Sequence, residues 1–217
     1  MRWVYILAIL AVFLRLAFLA PGSEAMQEGI AELIAMETQV PNSVAGVLLH
    51  NRLYDTIFEV FVFTLAVLGV QFALSLHGTE KNEYHITDTT MVIMARIAAM
   101  VQALIFIELA VRGHLAPGGG FAAGVAGGTA VGLVVLSRNV HTLYESYQRW
   151  HIATVEKAVV LLILLIAGLF LGYFSTGLSI EPLSVWAIPI LNILIAFKVA
   201  LGSWTIVLLF IRHRGLL

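Results

Sequence analysis

The chain has 217 residues, 60% hydrophobic and only 12% charged, with 12 Lys and Arg against 13 Asp and Glu for a net charge of −1. Its mean hydropathy is +0.97, and a water-soluble domain carries about a quarter charged residues, so lipid is the solvent. The balanced charge gives no basis for nucleic-acid binding, and the absence of cysteine excludes disulfides and thiolate metal sites.

A bilayer core takes about 20 apolar residues per helix. Trp3 to Ala20 is the first such segment. It carries Arg15 and no small-residue cleavage site follows, so it is expected as a retained membrane helix rather than a signal peptide. In PGSEAMQEGIAELIAMETQVPNS, Ile30, Leu33 and Ile34 alternate with Glu24, Glu28 and Glu32 at helical spacing, which predicts a short amphipathic helix on the outer surface. Five more apolar segments follow: Tyr54 to Leu76, Thr89 to Val111, Gly118 to Leu136, Val155 to Phe174, and Leu183 to Ile211. The last is long enough to tilt, or to bend at Pro189. The expected fold class is all-α, a polytopic membrane protein with six transmembrane helices.

Loop charges set the orientation. With both termini in the cytoplasm, that side holds Arg2, Lys81, Arg138, Arg149, Lys157, Arg212 and Arg214, against Arg52 and Arg112 opposite. Seven against two favours N-in, C-in. Arg15, Arg96, Lys198, Glu59 and Glu108 then fall inside spans. Each costs about 2.5 to 3.5 kcal/mol at mid-helix, so each is expected to face a partner or a wet cavity, some of them on other subunits.

Asp55 and Glu59 stand four apart near the outer end of the second span. Two ionised carboxylates at that spacing repel, and their oxygens suit a hard cation, which makes both candidates for exchanging a proton against Na⁺. Arg52 offers Asp55 permanent neutralisation instead, and Asp55 is also placed to cap the helix. Glu108 and Arg112 have the i, i+4 order of a helical ion pair, with a polar path through Glu108 as the alternative. Glu156 and Lys157 read as interfacial, the lysine snorkelling toward water. His141, Tyr144, Tyr147, Trp150 and His151 read as an aromatic belt in a loop. Lys198 lies near mid-helix with Asn192 on the same element. It is a candidate link to a lysine and carboxylate chain, with Arg96 a counter-ion.

The stretch RGHLAPGGGFAAGVAGG, Arg112 to Gly128, places a cation, His114 and Pro117 among seven glycines, six of which follow the proline. Pro117 fits the first turn of a helix, and Gly118, Gly119 and Gly120 open that helix with bare backbone. Gly120, Gly124, Gly128 and Gly132 repeat every four residues, a spacing that lets helices approach closely in lipid. Another helix is expected to cover this face. The helix start also offers N–H groups to an anion, although turning and packing account for the glycines. No Lys-Ser/Thr follows, which excludes a P-loop. His114 has no second His at ligand spacing, so no metal is expected, and no serine beside the glycines serves an intramembrane protease.

GHLAPGGGF resembles the signature of the MnhB-like subunit of the Mrp-type multisubunit sodium/proton antiporters, and is similar to the matching subunit of archaeal membrane-bound hydrogenases and sulfane reductases. Leu115 replaces the family's usual asparagine. LNILIAFKVALG, around Lys198, resembles the family's last helix, and the likeness runs from about Thr89 to Arg212. NSVAGVLLHNRLYDTIFEVFVFTLAVLGV, Asn42 to Val70, resembles instead the C-terminal end of the large, A-type antiporter subunit, with Arg52, Asp55, Thr56 and Glu59 matching an Arg-x-x-Asp-Thr-x-x-Glu pattern. The resemblances imply a fusion: a two-helix module over 1–78, a linker over 79–88 within HGTEKNEYHITD, and a four-helix MnhB-like module over 89–217.

They further imply a membrane subunit that is not itself an enzyme, in the cell membrane. Its partners would be antiporter-like subunits of the A, C and D kinds, smaller membrane subunits and peripheral redox subunits. Na⁺ or H⁺ would be the transported ion, with no cofactor in this chain and iron–sulfur clusters only in the partners. Two rivals stand beside this reading. One is a scaffold that carries no ion in a stand-alone antiporter. The other is an independent transporter, which predicts inverted repeats that the sequence lacks.

Overall fold

A computed structural model describes residues 24–76, 88–137, 140–175 and 181–213. The expected first span with Arg2 and Arg15, most of the joint including Lys81, and Arg138 and Arg214 lie outside the described residues. So does the side chain of His141.

The described residues form helices and connecting turns, with no strand among them. Helix α1 spans Glu24–Thr38. Asn42 then caps α2, Ser43–Gly46, by accepting from the Val44 and Ala45 N–H groups. A π-helical turn follows at Val47–Asn51. Arg52, at φ −119° and ψ 33°, breaks the helix before α3, Leu53–Ser75. The Thr56 hydroxyl bridges the break by donating to the Leu48 carbonyl at 2.8 Å.

Asp88 caps α4, Thr89–Arg112, by accepting from Thr90 N–H at 2.9 Å. Then come α5, Gly120–Ser137, α6, Val140–Arg149, α7, Ile152–Ser175, and α8, Glu181–Arg212. The stretch expected as an aromatic loop is therefore largely the helix α6. The Tyr147 hydroxyl lies 3.1 Å from that of Thr205, the Arg212 guanidinium sits 3.9 Å over the Tyr144 ring, and Trp150 remains exposed.

Five of the six expected spans fall on described helices. Four are long and apolar enough to cross a membrane: Leu53–Ser75, Thr89–Arg112, Ile152–Gly172 and Val185–Arg212, with Gly120–Val135 shorter. The chain is a multi-pass membrane protein. Helix α8 runs helical through Pro189 and is the hub, touching α3, α4, α5, α6 and α7. The main core lies where α3, α7 and α8 meet, around Leu53, Val60, Ile163, Phe170, Ile188 and Leu191. Helix α4 packs chiefly against α5 and leaves many of its apolar side chains exposed.

The glycine face is covered as expected, and the cover is α8. A Cβ on Gly120 would stand 2.6 Å from the Asn192 carbonyl, and one on Gly124 would fall inside Val199. One on Gly128 would meet the Ser203 side chain, Oγ at 2.8 Å. Gly132 differs: its Cβ would touch Val207 at an ordinary 3.7 Å. The close approach therefore uses three of the four repeats.

Candidate functional site

The chemistry-bearing turn lies between α4 and α5. The last carbonyls of a helix have no partner within it, and here two distant asparagines supply one. Asn192, on α8 and 1% exposed, donates through Nδ2 to the Ala110 carbonyl at 2.7 Å and the Leu109 carbonyl at 3.3 Å. Asn42 donates through Nδ2 to the Gly113 and Ala116 carbonyls, both at 2.8 Å, and its backbone N–H donates to the His114 carbonyl at 3.2 Å. The two segments carrying separate sequence resemblances are thus laced together at this turn. Asn192 stood out in the sequence only as a neighbour of Lys198, and Asn42 not at all, because an amide that binds main chain leaves no local pattern.

Pro117 sits outside the helix rather than in its first turn. The reason is Gly119, whose φ of +103° is the left-handed conformation that glycine adopts freely. Helix α5 begins only at Gly120, with the Gly119 carbonyl accepting from Ala123 N–H at 3.0 Å.

Beneath the turn lies a cavity of about 220 Å³. Asn42, Thr56 and Glu59 line one side, and Pro117, Gly118, Gly119, Gly120, Phe121 and Asn192 the other. The Asn192 Oδ1 is buried without a hydrogen-bond partner. It stands 3.9 Å from where a Gly119 Cβ would be, an ordinary contact distance. Glu59 and Asn192 bring a carboxylate and an amide to the walls of one small space, and hard oxygen donors of this kind suit a cation or a proton. Glu59 is otherwise on the outer face of α3, where a neighbouring chain can reach it.

The other expected site residues are not brought to this cavity. Asp55 accepts from Arg52 Nε at 2.6 Å, the local neutralisation weighed from sequence, with both side chains more than half exposed. Glu108 pairs with Arg112 at 2.7 Å, also at the surface. His114 is half-buried at the turn, its Nδ1 buried without a hydrogen-bond partner. Arg96 is exposed on α4.

Lys198 lies in the α3–α7–α8 core, fully buried. Its partner is Glu156, 4% exposed, with Nζ 3.6 Å from Oε1. The interfacial reading of Glu156 is therefore corrected. It is in phase with Ile152, Val160 and Ile163, which are also buried, while Lys157 points outward. That helical phase was the available signal in the sequence.

His50, in the π-helical turn, is buried against the Phe170 ring, with Glu37 3.7 Å away. Burial holds its imidazole below the ordinary value, and the Glu37 carboxylate works in the opposite direction. No group of three or more metal-ligating side chains occurs among the described residues.

The family described as "domain related to MnhB subunit of Na+/H+ antiporter" matches residues 90–205, more than half of the chain. The uncharacterized protein MJ1307 of Methanocaldococcus jannaschii is 27% identical over 211 residues, covering 82% of this chain and 79% of that one. A chain of the membrane-bound sulfane sulfur reductase, an archaeal respiratory membrane complex, superimposes with a TM-score of 0.62 at 24% identity. The match takes in 97% of this chain and 98% of that chain, so the likeness of fold reaches beyond the residues that the family matches. The protein is thus a member of the family of domains related to the MnhB subunit of the Na⁺/H⁺ antiporter.

Proposed function

We propose that the chain is a membrane subunit of an Mrp-type cation/proton antiporter module, working inside an archaeal respiratory complex of the hydrogenase or sulfane reductase kind. It crosses the cell membrane six times with both termini inside, and 1–78 and 89–217 act as two fused modules. Redox chemistry and iron–sulfur clusters belong to its partners. Its own part is to bridge neighbouring antiporter-like subunits and to furnish a stretch of the Na⁺ or H⁺ path.

One observation carries the proposal for the path: Glu59 and Asn192, the latter with a buried and unpartnered Oδ1, line one cavity under a turn of bare glycine backbone. A carboxylate on the outer face of a membrane-spanning helix is costly against lipid. It is accommodated when a neighbouring subunit closes the cavity and supplies further oxygens. The full-length fold likeness to a chain of a respiratory complex supports the setting.

The test is Glu59→Gln in the assembled complex, reconstituted in vesicles and assayed for ²²Na⁺ movement. The expected result is normal assembly with sodium movement reduced at least tenfold. Undiminished transport overturns the path and leaves the chain a scaffold.

A further inference from the structure

We propose that Glu156 and Lys198 form a second proton-exchange site inside this chain, entered from a cleft between α3 and α7. The Lys198 ammonium is enclosed on all sides and the Glu156 carboxylate almost so, yet the two stand 3.6 Å apart. That is an ion-pair distance too long for a hydrogen bond. Lys198 Nζ and Glu156 Oε1 are both buried without a hydrogen-bond partner. In place of one, Nζ lies 4.0 Å over the Phe63 ring, a cation–π contact that steadies the ammonium without consuming its N–H groups. Gly202 makes the room: a Cβ there would stand 2.6 Å from the Phe63 ring and 3.1 Å from Glu156 Oε1. A pair serving only to hold helices together gains most from short, satisfied contacts, because two buried charges lose much of their hydration. This pair is spaced and unsatisfied.

Access comes from a cleft beside the pair. A cavity of about 240 Å³ runs between α3 and α7, lined by Thr64, Gln71, Glu156 and Lys157 with apolar neighbours. It has the volume and polar groups to admit water. Glu156 lines it and Lys198 does not, so the carboxylate meets a proton first. The other titratable groups acting on Glu156 are Lys157, next in the chain, and Tyr147 of α6. The α3 residues lining the cleft carry none.

The proton balance is simple. The resident pair holds one exchangeable proton, on the lysine as COO⁻ and NH₃⁺ or on the glutamate as COOH and NH₂. A second proton from the cleft gives COOH beside NH₃⁺, and it leaves by the same mouth. Each cycle switches the core charge by one unit without moving a helix.

The site is separate from the Glu59 cavity, and its first test does not depend on the transport reading. Difference infrared spectra of the reconstituted full chain, stepped between about pH 9 and 5, should show a carboxylic C=O band that grows on acidification. Glu156→Gln should abolish it and Glu156→Asp should move it. The uncharged double variant Glu156→Gln/Lys198→Met should restore any thermal stability lost in the single variants while leaving the band absent. A spectrum unchanged by Glu156→Gln, or a Glu156 band that does not respond to pH, overturns the proposal. Should Glu59→Gln leave sodium transport intact while this band titrates, the transport reading falls and the proton site stands.

Discussion

Replacing Gly124 by alanine tests the α5–α8 seam at its tightest point. The added methyl would overlap the Val199 side chain and stand 2.9 Å from the Ala196 carbonyl oxygen. Ordinary contact begins near 3.4 Å, so the backbone contact alone is short by about 0.5 Å, and no rotamer of Ala196 relieves it. The helices must separate locally and forfeit dispersion contacts along the seam. Overpacking of this kind costs about 1–3 kcal/mol. At roughly 2–4 °C per kcal/mol for a chain of this size, the melting temperature should fall by about 2–12 °C. Gly132→Ala is the internal control, because its methyl meets Val207 at an ordinary 3.7 Å. It should be neutral or slightly stabilising, since alanine restricts the unfolded chain. Thermal unfolding of the purified full-length protein in detergent, followed by tryptophan fluorescence, measures both. Equal losses at the two positions would refute the argument, since they would mean that glycine is needed along the whole stripe regardless of what faces it.

Other substitutions probe the remaining joints. Asn192→Leu strips the Leu109 and Ala110 carbonyls of their donor and should cost about 1–3 kcal/mol, read as a lower melting temperature and faster amide exchange at Leu115 and Ala116. Asn42→Ala removes the donor to Gly113 and Ala116 and the cap of α2. It should increase proteolysis of the α4–α5 turn while leaving the α3–α7–α8 core intact. For His50, burial sets the folded value below the unfolded one of about 6.5. The unfolded chain therefore takes up the proton first, and stability present above that pH is lost as the pH falls through the folded value. The melting temperature should drop between about pH 7.5 and 5.5, and His50→Gln should flatten that dependence; an unaltered slope in the variant would assign the acid sensitivity to other groups.

The sequence made the helices legible because their signal is length and apolarity. The expected Thr89 to Val111 is found as Thr89–Arg112, and Tyr54 to Leu76 as Leu53–Ser75. The glycine repeat was equally legible, since close approach in lipid demands small residues at fixed spacing. What the sequence hid depends on partners far away in the chain. Glu156 looked interfacial from its place near a span end, yet Lys198, 42 positions on in the sequence, and the gap at Gly202 draw it inward. Lys198 was singled out without its partner. Asp55 and Glu59 looked like one cluster, and the structure divides them: Asp55 turns to Arg52 while Glu59 lines the cavity.

The π-helical turn at Val47–Asn51 has a bearing on where the Glu59 carboxylate ends up. A wide turn accommodates one more residue than a regular one, and each residue rotates the remainder of the helix by about 100°. Removing a single amino acid there would swing the acidic side chain roughly a quarter of the way around its helix, away from Asn192, with every residue of the span unchanged. Aim, at this position, is dictated by how the chain winds before the helix begins.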